Sequence, residues 1–199
     1  QPTNSFIDNG KLIIKAIKEN YSGKEYTSAR LRTLNKGDWL YGRIEVSAKI
    51  PTGRGTWPAI WMLSSNWSYG GWPESGEIDI MEHVGYDPNV IHGSIHTKAY
   101  NHTIGTQKSA SLNIPNATSS YHTYAIEWFA DRIDFYIDQY KYFTFNNENS
   151  GWEKWPFDKR FHLILNVAVG GNWGGVQGID VNAFPARMEV DFVRVYKKD

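Results

Sequence analysis

The sequence contains no cysteine, which excludes disulfides and thiolate metal sites and leaves the compartment open. It has no surplus of either charge, since Lys plus Arg and Asp plus Glu both number 21. Polyanions select a basic surplus, so neither nucleic acid nor an acidic membrane surface is expected as a partner. No apolar run reaches the roughly 20 residues of a membrane-spanning helix. The longest near the C-terminal end, Leu163 to Val169, is broken by Asn166 and reads as a core strand. No signal-peptide pattern is visible at Gln1, so the sequence reads as a mature or trimmed form. Helical periodicity is scarce as well, and 146–155 has room for one short helix at most. With no repeat, linker or low-complexity tract, one domain over 1–199 is expected.

Aromatic residues are abundant instead, with nine Trp and twelve Tyr. Sugar rings present flat C–H faces that stack on indoles, while their hydroxyls reach nearby polar groups. A Trp-rich β core accounts for such a content equally well, and roughly half of the indoles are expected there.

Strand patterns fill the chain. Lys11 to Ile17 follows the turn dipeptide Asn9-Gly10. In Tyr41 to Ile50, Ile44, Val46, Ala48 and Ile50 alternate with Arg43, Glu45, Ser47 and Lys49, a clear period of two. His122 to Phe129, Arg132 to Ile137 and Tyr140 to Phe145 read as a meander, and Phe161 to Val169 and Met188 to Tyr196 as further strands. Many short antiparallel strands without helices predict an all-β fold, a two-sheet antiparallel jelly-roll sandwich.

The most informative segment is Glu77-Ile-Asp-Ile-Met-Glu82, which sets three carboxylates into an otherwise apolar strand. Side chains alternate along a strand, so Glu77 and Asp79 share a face and Glu82 points the other way. One extra residue in a β-bulge, at Met81, would bring Glu82 onto the same side. Carboxylates that close suit glycosidic-bond hydrolysis. A solvated edge strand and a divalent-cation site are the competing readings.

Together with Gly55-Thr-Trp-Pro-Ala-Ile-Trp-Met-Leu63, Trp72-Pro-Glu-Ser-Gly76, Gly93-Ser-Ile-His96 and Val190-Asp-Phe-Val-Arg-Val-Tyr196, this segment resembles glycoside hydrolase family 16. Within the family it is most similar to the laminarinases, which are endo-β-1,3-glucanases. The resemblance covers essentially the whole chain. It implies a concave substrate cleft and hydrolysis with retention of configuration, in which two carboxyls lie about 5–5.5 Å apart. Glu77 then corresponds to the nucleophile, Glu82 to the acid/base and Asp79 to an assisting acid. The acid must hold its proton near neutral pH, so a raised pKa is expected at Glu82, with Asp79 sharing a proton with Glu77. The extra residue Met81 separates the chain from the lichenases, which lack it.

The resemblance also implies binding roles. Trp57 and Trp61 lie four apart on one strand face, Trp72 on the loop before the acids, and Trp173 on a glycine-rich loop that is no phosphate cradle. His96 corresponds to a histidine near the acid/base, while His83 faces away and packs. Asn4 and Arg30 correspond to positions that bond sugar hydroxyls, with Arg32 a competing candidate. A structural calcium on the convex side would take the Gly10 carbonyl and Asp191; no cofactor is expected for catalysis. Relatives carry a further upstream strand, which this sequence lacks at Gln1. The expected partner is a β-glucan bound by a monomer, unless an uncovered sheet edge pairs two chains. A secreted, cell-surface or periplasmic protein is expected. Mixed-linkage β-1,3/1,4-glucans, galactans such as agar or carrageenan, and a non-catalytic glucan-binding lectin are the alternatives.

Overall fold

The computed structural model describes residues 1–197; the last two positions of the expected domain lie outside the described residues. The strands run β1 Ser5–Asp8, β2 Lys11–Tyr21, β3 Lys24–Thr27, β4 Arg30–Arg32, β5 Asp38–Trp39, β6 Gly42–Lys49, β7 Thr56–Ser64 and β8 Glu77–Glu82. They continue with β9 Val90–His96, β10 Lys108–Asn113, β11 His122–Trp128, β12 Arg132–Ile137, β13 Tyr140–Asn146, β14 Phe161–Val169 and β15 Ala186–Tyr196. One sheet has the order β1-β2-β15-β6-β11-β12-β13, with β3 joined to β2. The other has the order β10-β9-β8-β7-β14-β4, with β5 joined to β14. All pairings are antiparallel. Neighbours that are distant in sequence, such as β7 beside β14, give the crossovers of the expected jelly-roll sandwich.

The core lies between the two inner faces. Ile44, Val46 and Ala48 of β6 and Tyr124, Ile126 and Trp128 of β11 face Ile60 and Met62 of β7, Ile78 and Met81 of β8, and Leu163 and Leu165 of β14, all buried. The period-two reading of β6 therefore holds for its apolar residues, with Ser47 of the opposite face also covered. Burying one such side chain contributes about 1.5–3 kcal/mol, so a register slip that exposed this set would be prohibitive. β7, β8, β9 and β14 are thus locked with the opposite set of side chains on the outer face.

The stretch 147–155 forms bends and turns, within the expected limit of one short helix, and the helical pieces among the described residues are three 3₁₀ turns, Pro2–Asn4, His102–Ile104 and Val181–Ala183. Some expectations are corrected. Of the nine indoles only Trp128 and Trp155 are buried, rather than half. Strand β15 starts at Ala186, two residues before the sequence pattern suggested.

Candidate active site

The outer face of the second sheet is set by register. One cross-strand row runs Arg30 on β4, Asn166 on β14, Ala59 on β7, Glu82 on β8 and His92 on β9. The next row along the face holds Arg32, Ile164, Trp61, Asp79 and Ser94, and the third holds His162, Leu63, Glu77 and His96. Residues directly opposite in a ladder share a face, so all three acids project to the same side. The break in register that permits this lies between Asp79 and Glu82. Opposite β7, Trp61 pairs with Asp79 and Ile60 with Met81, so Ile80 is the unpaired extra residue on that side, rather than Met81. Ile80 and Met81 are both buried in the core, which makes the bulge cost little in apolar exposure.

Burial dominates the electrostatics of the three acids. Asp79 is 3 % exposed, and its Oδ2 has no hydrogen-bond partner. Burial, then the neighbouring carboxylates, pushes Glu77 and Asp79 well above the ordinary carboxylate range. Glu82 is raised as expected, again by burial. The Trp57 indole N–H, which donates to its Oε1 at 3.0 Å, and the nearby His96 oppose that rise. The expectation singled out Glu82, but the larger upward pressure falls on Glu77 and Asp79, because Glu77 stands beside another acid and Asp79 is enclosed. His96 Nε2 lies 3.3 Å from Asp79 Oδ2 and 3.9 Å from Glu77 Oε1. Burial lowers the imidazole pKa, against the pull of Glu77 and Glu82, so the ring is neutral at neutral pH and acts as a dipole.

Aromatic side chains border the acids on three sides. Trp173 meets Trp57 edge-on at 5.5 Å, and His92 meets Trp173 edge-on at 4.9 Å. Trp61 donates its N–H to Asn166 Oδ1 at 2.7 Å, and the Arg30 guanidinium lies 4.4 Å over its ring. At the Glu77 end, Trp72 is tilted against His96 at 6.0 Å and against His102 at 5.0 Å. Trp57, Trp61, Trp72, His96, Trp173 and Arg30 are thus gathered on the acids' face, and Arg32 occupies the same face in the Asp79 row. Asn4 is different. It is fully buried, its amide donates to Lys15 O and Thr27 Oγ1 at 3.0 Å each, and its Oδ1 alone is unpartnered. It clamps the start of the chain to β2 and β3, and any sugar bond must use that one oxygen. His83 is buried with Nδ1 on Val90 O at 2.9 Å, as its inward position requires.

Sequence reading missed His92, Asn166 and His102. The first two carried a usable signal, since His92 lies four before His96 on β9 and Asn166 interrupts the apolar run of β14. His102 carried none, because a 3₁₀ turn outside the sheet delivers it.

The expected calcium ligands do not make a site. Asp191 is the extra residue of a second bulge, between β15 and β6. Its side chain is 45 % exposed and its Oδ1 accepts from Lys11 Nζ at 2.9 Å. Gly10 forms the left-handed corner of the β1–β2 hairpin, at φ 77°. One carboxylate already bound to an ammonium, with one carbonyl, falls short of the six to eight oxygens that calcium takes. Elsewhere among the described residues, Glu77, Asp79 and His96 each bring a ligand atom within 4.8 Å of the others. Two oxygens and an imidazole are not a hard-oxygen cage, and shared protons account for their closeness.

Residues 2–194 match the family model for glycosyl hydrolases family 16. A beta-glucanase of Rhodothermus marinus is 54 % identical over 98 % of this chain and 70 % of its own length. The X-ray structure of the laminarinase from the same organism superposes with a TM-score of 0.97 at 53 % identity, over 99 % of this chain and 81 % of that one. A non-specific endo-beta-1,3(4)-glucanase, SCLam, crystallized as a mutant with a bound gluco-oligosaccharide, gives 0.96 at 49 % identity, over 100 % of this chain and 79 % of that one. On the matched family model, these likenesses and the shared two-sheet fold, the chain belongs to glycoside hydrolase family 16.

Proposed function

We propose that the protein cleaves β-1,3-glucosidic bonds within β-glucans such as laminarin, with retention of configuration. We further propose that residues 1–199 form one catalytic domain. The observation that carries the reading is the trio of acids on one outer sheet face among half-buried and exposed aromatic rings. Glu77 attacks the anomeric carbon while Glu82 gives its proton to the glycosidic oxygen, which leaves with the reducing-side fragment. Glu82, now a carboxylate, takes a proton from water as that water displaces Glu77, and the configuration is restored. Asp79, the most enclosed acid, keeps the proton it shares with Glu77, so that Glu77 is free to ionise. His96 assists as a neutral neighbour. The Arg30 guanidinium and the rings of Trp57, Trp61, Trp72 and Trp173 hold the sugar chain, while Asn4 braces the strands from beneath.

A glucan too large to enter a cell implies action outside it or in the periplasm. No helix among the described residues is long and apolar enough to cross a membrane. Likeness to an enzyme named as acting on both linkages supports a second reading, tolerance of mixed β-1,3/1,4-glucan. Reducing-sugar release from laminarin, lichenan, agarose and carrageenan tests both, with Glu77→Ser as control. Laminarin should be cut fastest and lichenan more slowly; binding without release would restore the lectin alternative.

Trp57→Phe tests the assignment of Glu82. The indole N–H favours the ionised form of Glu82, so its loss moves the acid's pKa upward and the alkaline limb of kcat/KM to higher pH. Losing a hydrogen bond to a charged group costs about 1.5–3 kcal/mol, so the maximal rate should fall about tenfold or more. An unmoved alkaline limb would mean that another group supplies the proton.

A further inference from the structure

We propose a second sugar-binding site, away from the acids, which holds a remote segment of the same polysaccharide; it rests on the glucan reading above. The site is a pocket of about 270 Å³ at one end of the sandwich, where the β7–β8 and β13–β14 connections meet Tyr41, ahead of β6. Ligand pockets usually span about 300–1,000 Å³, so this one suits a short stretch of sugar chain. Tyr69 and Trp152 stack with planes 1° apart and centroids 5.2 Å apart, so each covers part of one face of the other and the pair forms an aromatic wall of the pocket. An aromatic wall suits the C–H groups of a pyranose.

Polar groups at the pocket suit hydroxyls. Asp158 accepts from Tyr69 O–H at 2.9 Å and has oxygens exposed at the rim, and Asn149 is exposed beside it. Lys98 and Lys159 stand over the Trp152 and Tyr69 rings at 4.8 and 5.0 Å and pair with Glu153 and Asp158. The decisive group is Trp155. Its side chain lines the pocket at 6 % exposure, stacked on Phe145 at 5.5 Å, yet its indole N–H has no partner. Buried donors are normally paired, and its neighbours Phe145 and Phe157 are apolar. A hydroxyl entering the pocket would supply the acceptor. Aromatic walls, an Asp158 carboxylate balanced by Lys159 and an indole N–H without an acceptor suit a polyhydroxylated ligand of no net charge, which the substrate already is.

Position supports the link to catalysis. The β7–β8 connection carries Tyr69 and, three residues on, Trp72 at the Glu77 end of the cleft. A polymer held at both places would be kept near the acids, raising its effective concentration. A short oligosaccharide cannot span both.

Two measurements test the site. In the Glu77→Ser protein, titration with a β-1,3-gluco-oligosaccharide should shift the Trp155 indole N–H resonance; a saturated cleft with no such shift overturns the site. In the active enzyme, Trp152→Ala should lower kcat/KM on laminarin and adsorption to insoluble β-1,3-glucan by about five- to tenfold, with kcat/KM on the short oligosaccharide unchanged. Equal loss on both substrates, or no loss on either, overturns it as well. Failure of the glucan reading is separate: the wild-type protein would then release no reducing sugar from any glucan.

Discussion

Glu77→Ser should cut laminarin turnover by roughly 10⁴-fold or more, because the nucleophile has no substitute on that face. The more telling result is what azide does. Without Glu77, azide attacks the anomeric carbon directly and inverts it once, giving an α-glycosyl azide. Without Glu82, the sugar is still transferred to Glu77 when the leaving group needs no proton, and azide then displaces it, giving a β-glycosyl azide. Glu82→Ala should therefore retain much of its rate on an activated aryl glycoside while losing it on laminarin. Product stereochemistry by NMR checks both assignments at once, and the same anomer from both variants would dismantle the double displacement. The expectation follows from the register of β8, which sets Glu77 and Glu82 on a common face on either side of Asp79.

Asp79→Asn should lower turnover about 100-fold and make the protein more stable near neutral pH. A carboxyl whose pKa is higher folded than unfolded binds more protons in the folded state. Its contribution is fully present at acid pH. It drains away as pH rises from the ordinary aspartate range, near 3.8, toward the raised folded value. At neutrality the wild-type protein therefore carries the cost of an enclosed acid beside Glu82, relieved in part by its hydrogen bond with Glu77, with an unpartnered Oδ2. A neutral amide removes that cost. Replacing buried charge in this way gains about 1–3 kcal/mol, which for a chain of this size raises Tm by several degrees. Thermal unfolding across pH is the check. The stability gap between variant and wild type should widen from acid to neutral pH; a gap that is constant or narrows would show that Asp79 carries no raised pKa.

The sheets were legible because burial enforces a period of two, and β6 shows it at every apolar position. The short strands β1, β3, β4 and β5 were not, since they are held by pairing partners distant in sequence rather than by a pattern of their own. The three acids stood out because charge among Ile78, Ile80 and Met81 needs a reason. Their common face followed from parity, although the position of the unpaired residue did not, because only the facing strand decides it. His102 was invisible for a related reason: its place beside Trp72 depends on how a loop folds over the sheet. The calcium expectation came from resemblance alone, and Lys11 beside Asp191 shows how one nearby ammonium changes what a carboxylate can do.

The unpaired residue in β8 has a consequence for how the trio tolerates changes in chain length. Shortened by one position, the segment would read Glu-Ile-Asp-Ile-Glu, and plain alternation would still send every acid outward. The insertion is therefore not what makes the acids co-facial; even-numbered spacing achieves that without it. The last acid would still stand across from Ala59 and His92; what the extra residue changes is the local bend and twist of β8, and so the aim of that acid toward the Trp57 indole. The direction of the proton donor is thus adjustable by one residue without moving it to the other side of the sheet.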